Sequence, residues 1–346
     1  MRLRSLRAIL PAIALAAVAA AAPDPGYHVI NTFQVGGPGG WDYVALDSVA
    51  HRLFVARGTR DMVLDPETGK VLGEVPGLGG AHGIAFAYEF NHGFATSGRD
   101  SSVTMFDLKT LAVLGKAKAA LDADAILYDP ATKRIFSMNG DSHSASVFDP
   151  ETGKNIGTID LGAGPEFAVS AGDGKLYVNL EDKGAIAEID AKKMKVTRTW
   201  LMAGCEQPTG LAIDRKNHIL FSGCRGTKVM AISDAKAGKL ITTVPIGAGV
   251  DANAFDPGTN LAFSSNGGDG TLTVVHEDNP TTFTVVQTAQ TMPSARTMTL
   301  DPATHKVYLV GAKFGPPPTD STPDNPRRRP PMIPDSFTLL VLGMGA

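Results

Sequence analysis

The chain of 346 residues carries a formal net charge of −3, with 19% charged and 43% hydrophobic residues. That balance excludes a broad basic field of the kind that draws a protein to nucleic acid, and it is too apolar for a disordered chain. Its 38 glycines suit a fold with many short turns.

Arg2, Arg4 and Arg7 precede an apolar run from Ala8 to Ala20, broken only by Pro11, and small residues continue to Ala22. This order predicts a signal peptide over residues 1–21, cleaved after Ala20 or Ala21. The run is shorter than the roughly 20 residues of a membrane span, and no cysteine stands at the cleavage site to take a lipid. Residues 22–346 are therefore expected outside the cytoplasm, periplasmic or secreted, as a monomer without a membrane span.

From Trp41 onward one shape recurs: a short apolar strand, a turn that usually begins with Asp, and a second apolar strand. It reads WDYVALDSVAHRLFV from Trp41, AHGIAFAYEFNHGFA from Ala81, ADAILYDPATKRIFS from Ala123 and PEFAVSAGDGKLYV from Pro165. It returns as PTGLAIDRKNHILFS from Pro208, VDANAFDPGTNLAFS from Val250 and ARTMTLDPATHKVYL from Ala295. The second residues of these segments, Asp42, His82, Asp124, Glu166, Thr209, Asp251 and Arg296, are spaced by 40 to 45 residues. A period near 42 with about four strands per unit predicts an all-β fold, a seven-bladed β-propeller, because one such unit cannot bury its own faces.

Within the units, the DPETGK segments at Asp65 and Asp149 read as hairpin turns opened by Asp-Pro and closed by Gly. His51, His218 and His305 fall four residues after the turn aspartate and are expected as solvated turn residues. The seventh unit lacks a fourth strand after SFTLLVLG from Ser336, and YHVINTFQVGG from Tyr27 supplies one. The ring is thus expected to close by pairing of the N- and C-terminal strands, which removes exposed sheet edges.

The units built on GLAID, HILFSG and GKLITTVPIG, with the repeated DPETGK and DPATxK turns, resemble the YVTN-type (YncE-like) propeller repeat proteins over nearly the whole chain after the signal. The resemblance implies the propeller fold. It implies no catalytic residue, since its motifs describe strands and turns, and fold does not imply function. The Asn that follows the second strand in that pattern stands at Asn139, Asn179 and Asn266 but is replaced at Arg57, Gly223 and Gly311.

In a propeller the first strand of each blade lines the central channel. Six of the seven second residues are ionisable and differ from blade to blade, which a purely structural repeat would not require. Asn139, Asn179, Glu181, Asp182, Asn266 and Glu206 are expected on the same face. Asp42, His82, Asp124, Glu166, Glu206, Asp251 and Arg296 are the candidate ligand-binding residues, and His82, Asp124 and Glu166 the candidate metal ligands. Converging carboxylates raise one another's pKa or recruit a cation. Oxygen ligands suit Ca²⁺ or Mg²⁺, and an imidazole beside them also admits Zn²⁺ or Mn²⁺. Three readings stand open: a hydrated mouth with paired charges, a site for a small polar ligand, protein partner or divalent cation, and a metal-dependent hydrolase or lyase with His82 as general base. The last has an analogy in propeller lactonases. No nucleophile elbow, phosphate loop or zinc-protease helix is present.

Cys205 and Cys224 flank the first two strands of the fifth unit, whose ends should meet, and in an oxidising compartment this pair predicts a disulfide. No CxxC haem-attachment motif occurs. The segment 314–334, rich in Pro and Arg, is expected as an extended loop without a core of its own.

Overall fold

The computed structural model describes residues 26–316 and 330–345. The expected signal peptide and the middle of the Pro/Arg-rich insert lie outside the described residues. Among the described residues the regular structure is strand, apart from two 3-10 turns, and every strand pair is antiparallel. The architecture is all-β and propeller-like, with five four-stranded sheets and one seven-stranded sheet among the described residues.

The fourth repeat shows why these sequences make such sheets. Its strands are Pro165–Ser170, Lys175–Leu180, Ala185–Asp190 and Lys195–Leu201, hydrogen-bonded in that order. The second and third, KLYVNL and AIAEID, are almost continuously buried because neighbouring sheets cover both of their faces. The fourth, KVTRTWL, alternates exposed and covered residues, as an outer strand must. The seven-stranded sheet arises where Val71–Ala87 runs unbroken, pairing through its first half with Gly58–Leu64 and through its second with His92–Ser97. Two of the expected four-stranded units are thereby fused.

The first strands of successive repeats touch one another. Val44–Asp47, the end of Val71–Ala87, Ala123–Asp129, Pro165–Ser170, Pro208–Asp214, Val250–Asp256 and Thr297–Asp301 contact in sequence, and the last meets the first. Tyr27–Gln34 pairs with Thr338–Met344, from Tyr27 opposite Met344 to Gln34 opposite Thr338. Tyr27 is buried edge-on against Phe263 and donates its hydroxyl to the His305 carbonyl at 2.8 Å.

The turns after the first strands obey one local rule. Asp47 accepts the amides of Val49 and Ala50, and Asp214 those of Lys216 and Asn217. Four residues after the turn's first residue, His51, Asn91, Lys133, Gly174, His218, Asn260 and His305 all have positive φ, between 51° and 89°. Asn and Gly suit that left-handed conformation best, and the chain accepts its cost elsewhere to reverse direction tightly. His305 is not merely solvated: its Nδ1 lies 2.6 Å from Asp256 Oδ2, tying one repeat's turn to the next.

Two charged residues are buried where most repeats are neutral. Arg57, in the slot that holds Asn139, lies 3.6 Å above the Phe337 ring and donates to the carbonyls of Gly37, Pro38 and Gly39. It clasps the loop that leads from the N-terminal strand into the first repeat. Asp61 is fully buried with neither carboxylate oxygen hydrogen-bonded, and burial pushes its pKa well above the usual carboxylate range. Its equivalents across the paired strands are Val103, Ala145, Ile186, Met230, Leu272 and Leu339.

The insert is packed at its ends. Phe314 bridges to Met332 and stacks near Trp41, and Met332 packs on the cluster containing Trp41 and Phe337. The insert, expected as an extended loop without a core of its own, packs its described ends on the apolar surface that Trp41 offers.

Cys205 and Cys224 form a disulfide with Cα atoms 5.2 Å apart. It closes a loop of roughly 20 residues, a constraint on the unfolded chain worth about 3 kcal/mol. Replacing both cysteines by serine should lower the unfolding free energy by that amount in chemical denaturation. Asp61→Leu should act oppositely, raising it by about 1–3 kcal/mol by removing an unsatisfied buried polar group. A melting point lowered by Asp61→Leu would show that the carboxyl has a partner in solution.

Candidate functional site

The first strands begin irregularly. Their pairing register slips between Ala81 and Ile84, Pro165 and Ala168, Pro208 and Leu211, and Val250 and Ala252. Such bulges break the simple alternation of side chains, so that consecutive residues can both face the axis. Hydroxyls from adjacent repeats hold the backbone there. Thr297 donates to the Asp42 carbonyl, Thr96 to that of Asp124, and Ser265 to that of Arg296.

On this framework Asp42, His82 and Asp124, from three consecutive repeats, converge. His82 Nδ1 lies 2.5 Å from Asp42 Oδ2 and 3.4 Å from Asp124 Oδ1. One ligand atom from each of the three lies within 4.8 Å of the others. Arg296 Nε lies 2.6 Å from Asp251 Oδ2, and another of its nitrogens lies 3.5 Å from Asp42 Oδ1. Arg225 bridges Asp251, at 3.6 Å, and Glu181, at 2.5 Å. Charges from all seven repeats therefore form one network around the axis.

Not every expected residue joins it. Glu166, expected as a metal ligand beside His82 and Asp124, is outside the group of three, whose third member is Asp42. Glu206 stands apart, exposed on the disulfide-bound loop, where its amide bonds to Thr227. Thr209 is buried and donates to the carbonyls of Gly223 and Val250. Asn139, Asn179 and Asn266, expected at the mouth, are fully buried. Asn139 donates to Ser144 and Ser146, Asn266 to Thr271 and Thr273, and Asn179 to the carbonyls of Thr209 and Gly210. Strand ends in a tightly packed sheet leave backbone and hydroxyl groups to satisfy, and these amides satisfy them.

Crowding of acids away from water sets the protonation. Burial, then Asp124, Glu181 and Asp251, push Glu166 up to about 9, against the pull of Arg225. Burial followed by Asp42 and Asp122 raises Asp124 well above its ordinary value. Asp251 is also raised, chiefly by burial, although Arg296 opposes the shift. Burial disfavours the charged imidazole of His82, but the hydrogen bond and charge of Asp42, with Asp122 and Glu166, outweigh it and the pKa rises. The crowded groups thus hold their protons more tightly than they would in water.

Two residues that the sequence reading missed close the network from beneath. The Tyr43 and Phe167 rings, from the first and fourth repeats, meet at 4.8 Å. Burial and then the charges of Asp124, Glu166, Asp42 and Asp251 raise the Tyr43 hydroxyl well above its ordinary value. Each follows a mouth acid in the chain, and the other repeats carry Gly83, Ala125, Gly210, Ala252 and Thr297 at that slot. Two aromatics among small residues were the available signal. Arg225, adjoining Cys224, was also unread.

No family model matches the chain, and no curated protein matches it. Among solved structures, hydrazine synthase of Kuenenia stuttgartiensis is similar, with a TM-score of 0.51 at 15% identity. The match covers 69% of this chain and 96% of that one. At that identity the likeness supports the propeller-like fold alone.

The raised carboxyls make stability depend on pH. A group whose pKa is raised in the folded state stabilises the fold below its unfolded value and loses that contribution as pH rises through the folded value. For Glu166 the window runs from its ordinary value of 4.5 to about 9. Unfolding free energy should therefore fall across that window, by at most about 1.4 kcal/mol per pH unit for this one group. Glu166→Gln should flatten the fall, and an unchanged pH profile would show the carboxyl to be hydrated.

Proposed function

We propose that the chain is an exported seven-bladed propeller of the YVTN type that binds a divalent cation, directly or as part of a small polar ligand, at the charged mouth of its channel. The observation that carries this reading is the convergence of Asp42, His82 and Asp124 with ligand atoms within 4.8 Å of one another. One imidazole with two carboxylates suits Zn²⁺ or Mn²⁺ better than Ca²⁺ or Mg²⁺, which prefer oxygen-only cages. Asp122 and Asp251 add negative potential around it, and Arg296 and Arg225 keep Asp251 engaged.

Seven blades are supported by the seven repeats and by the contacts of the first strands, which return to their starting point. Export is supported by the N-terminal sequence and by the disulfide. Among the described residues no helix is long and apolar enough to cross a membrane. A second reading, a metal-dependent hydrolase or lyase, draws on Glu166. A carboxyl pushed to about 9 beside a cation site holds a proton it could donate to a leaving group.

Titration calorimetry with Zn²⁺ and Mn²⁺ tests the cation site. One ion should bind per chain with release of protons, more tightly at pH 8 than at pH 6, because the metal displaces protons from its ligands. His82→Ala and Asp42→Asn should each weaken binding by at least tenfold while leaving the metal-free melting point nearly unchanged. Bound metal should stabilise the wild type by about 2.7 kcal/mol at a hundredfold excess over Kd. A melting point indifferent to all divalent cations would sink the proposal.

A further inference from the structure

The axis continues below the Tyr43–Phe167 pair into a chamber of about 680 Å³. It is lined by all seven first strands, and its wall is apolar: Phe86, Ile126, Phe167, Ile213, Phe255 and Leu300 face it, half-buried. The charged mouth lies beyond the aromatic pair, so the two spaces differ sharply in polarity although they share an axis. Volume and lining are those of a site for a small organic molecule.

The rim of the chamber bears Arg215 and Lys216, in the turn after Pro208–Asp214. Both are exposed, and among the described residues neither has a carboxylate within ion-pair distance. Arg215 is nevertheless held in place, its Nε donating to the Ser170 carbonyl at 3.0 Å. The adjacent Asp214 is buried, and its oxygens are taken by the amides of Lys216 and Asn217. On a chain of net charge −3, two adjacent unpaired cations at the edge of an apolar chamber are complementary to one kind of guest.

We propose that this chamber binds an organic anion with an apolar body: a medium-chain or aromatic monoacid, its hydrocarbon part against the phenylalanines and its anionic group at Arg215 and Lys216. Desolvating the hydrocarbon drives binding, and the rim cations fix which end stays outside. The site is separate from the cation-binding mouth and does not rest on it.

The test uses anilinonaphthalene sulfonate, an aromatic anion whose emission rises in apolar surroundings, with decanoate, decanol and decyltrimethylammonium as competitors, all in EDTA. The emission should saturate at one probe per folded chain and be reversed by decanoate. Decanol and decyltrimethylammonium should compete at least tenfold more weakly. Arg215→Ser combined with Lys216→Ser, both surface changes, should weaken decanoate at least tenfold and leave decanol unaltered. Ala254→Trp, which fills the chamber, should abolish binding of the probe at an unchanged melting point. Absence of saturable binding to the wild type would overturn the proposal. So would probe binding that survives in folded Ala254→Trp, and decanol competing as well as decanoate would overturn the role of the cations.

Discussion

The strand Tyr27–Gln34 finds its hydrogen-bond partner more than three hundred residues away, in Thr338–Met344. Without it the last sheet would expose both the edge of a buried strand and the apolar face that Tyr27 covers. Sheets of this kind have no core of their own; each is covered by its neighbours, so a gap anywhere would leave two apolar faces in water. The pairing of the ends therefore completes the last sheet and covers an edge that would otherwise be open. Arg57 reinforces the same region, its guanidinium spread over Phe337 while it gathers the carbonyls of the Gly37–Gly39 loop. A desolvated cation is costly, and here three carbonyls and an aromatic face replace its water.

The same stacking creates the axis. Seven first strands leave a space between them that apolar side chains only partly fill, and the chain treats its two halves differently. At one mouth a repeat position that could have held a small residue carries acids, a histidine and an arginine. At the other, aromatic and aliphatic side chains line a chamber. Tyr43 and Phe167 separate the two, and that apolar floor is one reason the acids above it hold their protons. Water that would solvate Asp124 and Glu166 from below is excluded, so each charge is felt strongly by the others.

Such a mouth is destabilising on its own. Like charges have been assembled away from water, with two arginines for a larger number of carboxyls. The buried protons reduce that repulsion, and a bound cation would reduce it further. Strain of this sort collects where a protein binds rather than where it packs. Asp61 is the contrasting case: an unpartnered acid in an interface that is apolar in the other repeats.

Much was legible in the sequence because a repeat multiplies weak signals. The all-β class, the position of each turn, the pairing of the two ends and the Cys205–Cys224 bridge follow from spacing, turn chemistry and strand polarity, all of them local properties. Asp42, His82, Asp124, Asp251 and Arg296 were recognisable as neighbours because they share one repeat position. Which of them touch was decided only by the tertiary structure. Bulges at the starts of the strands rotate side chains by amounts that alternation does not predict, and so Asp42 rather than Glu166 completes the group with His82 and Asp124. Phe167 lies within one such slip, between Pro165 and Ala168. The three asparagines point inward because backbone carbonyls and hydroxyls at the strand ends take up their donors, a requirement that exists only once the sheets are packed. The chamber was not legible at all: it is a space between seven strands, and no segment of the chain contains it.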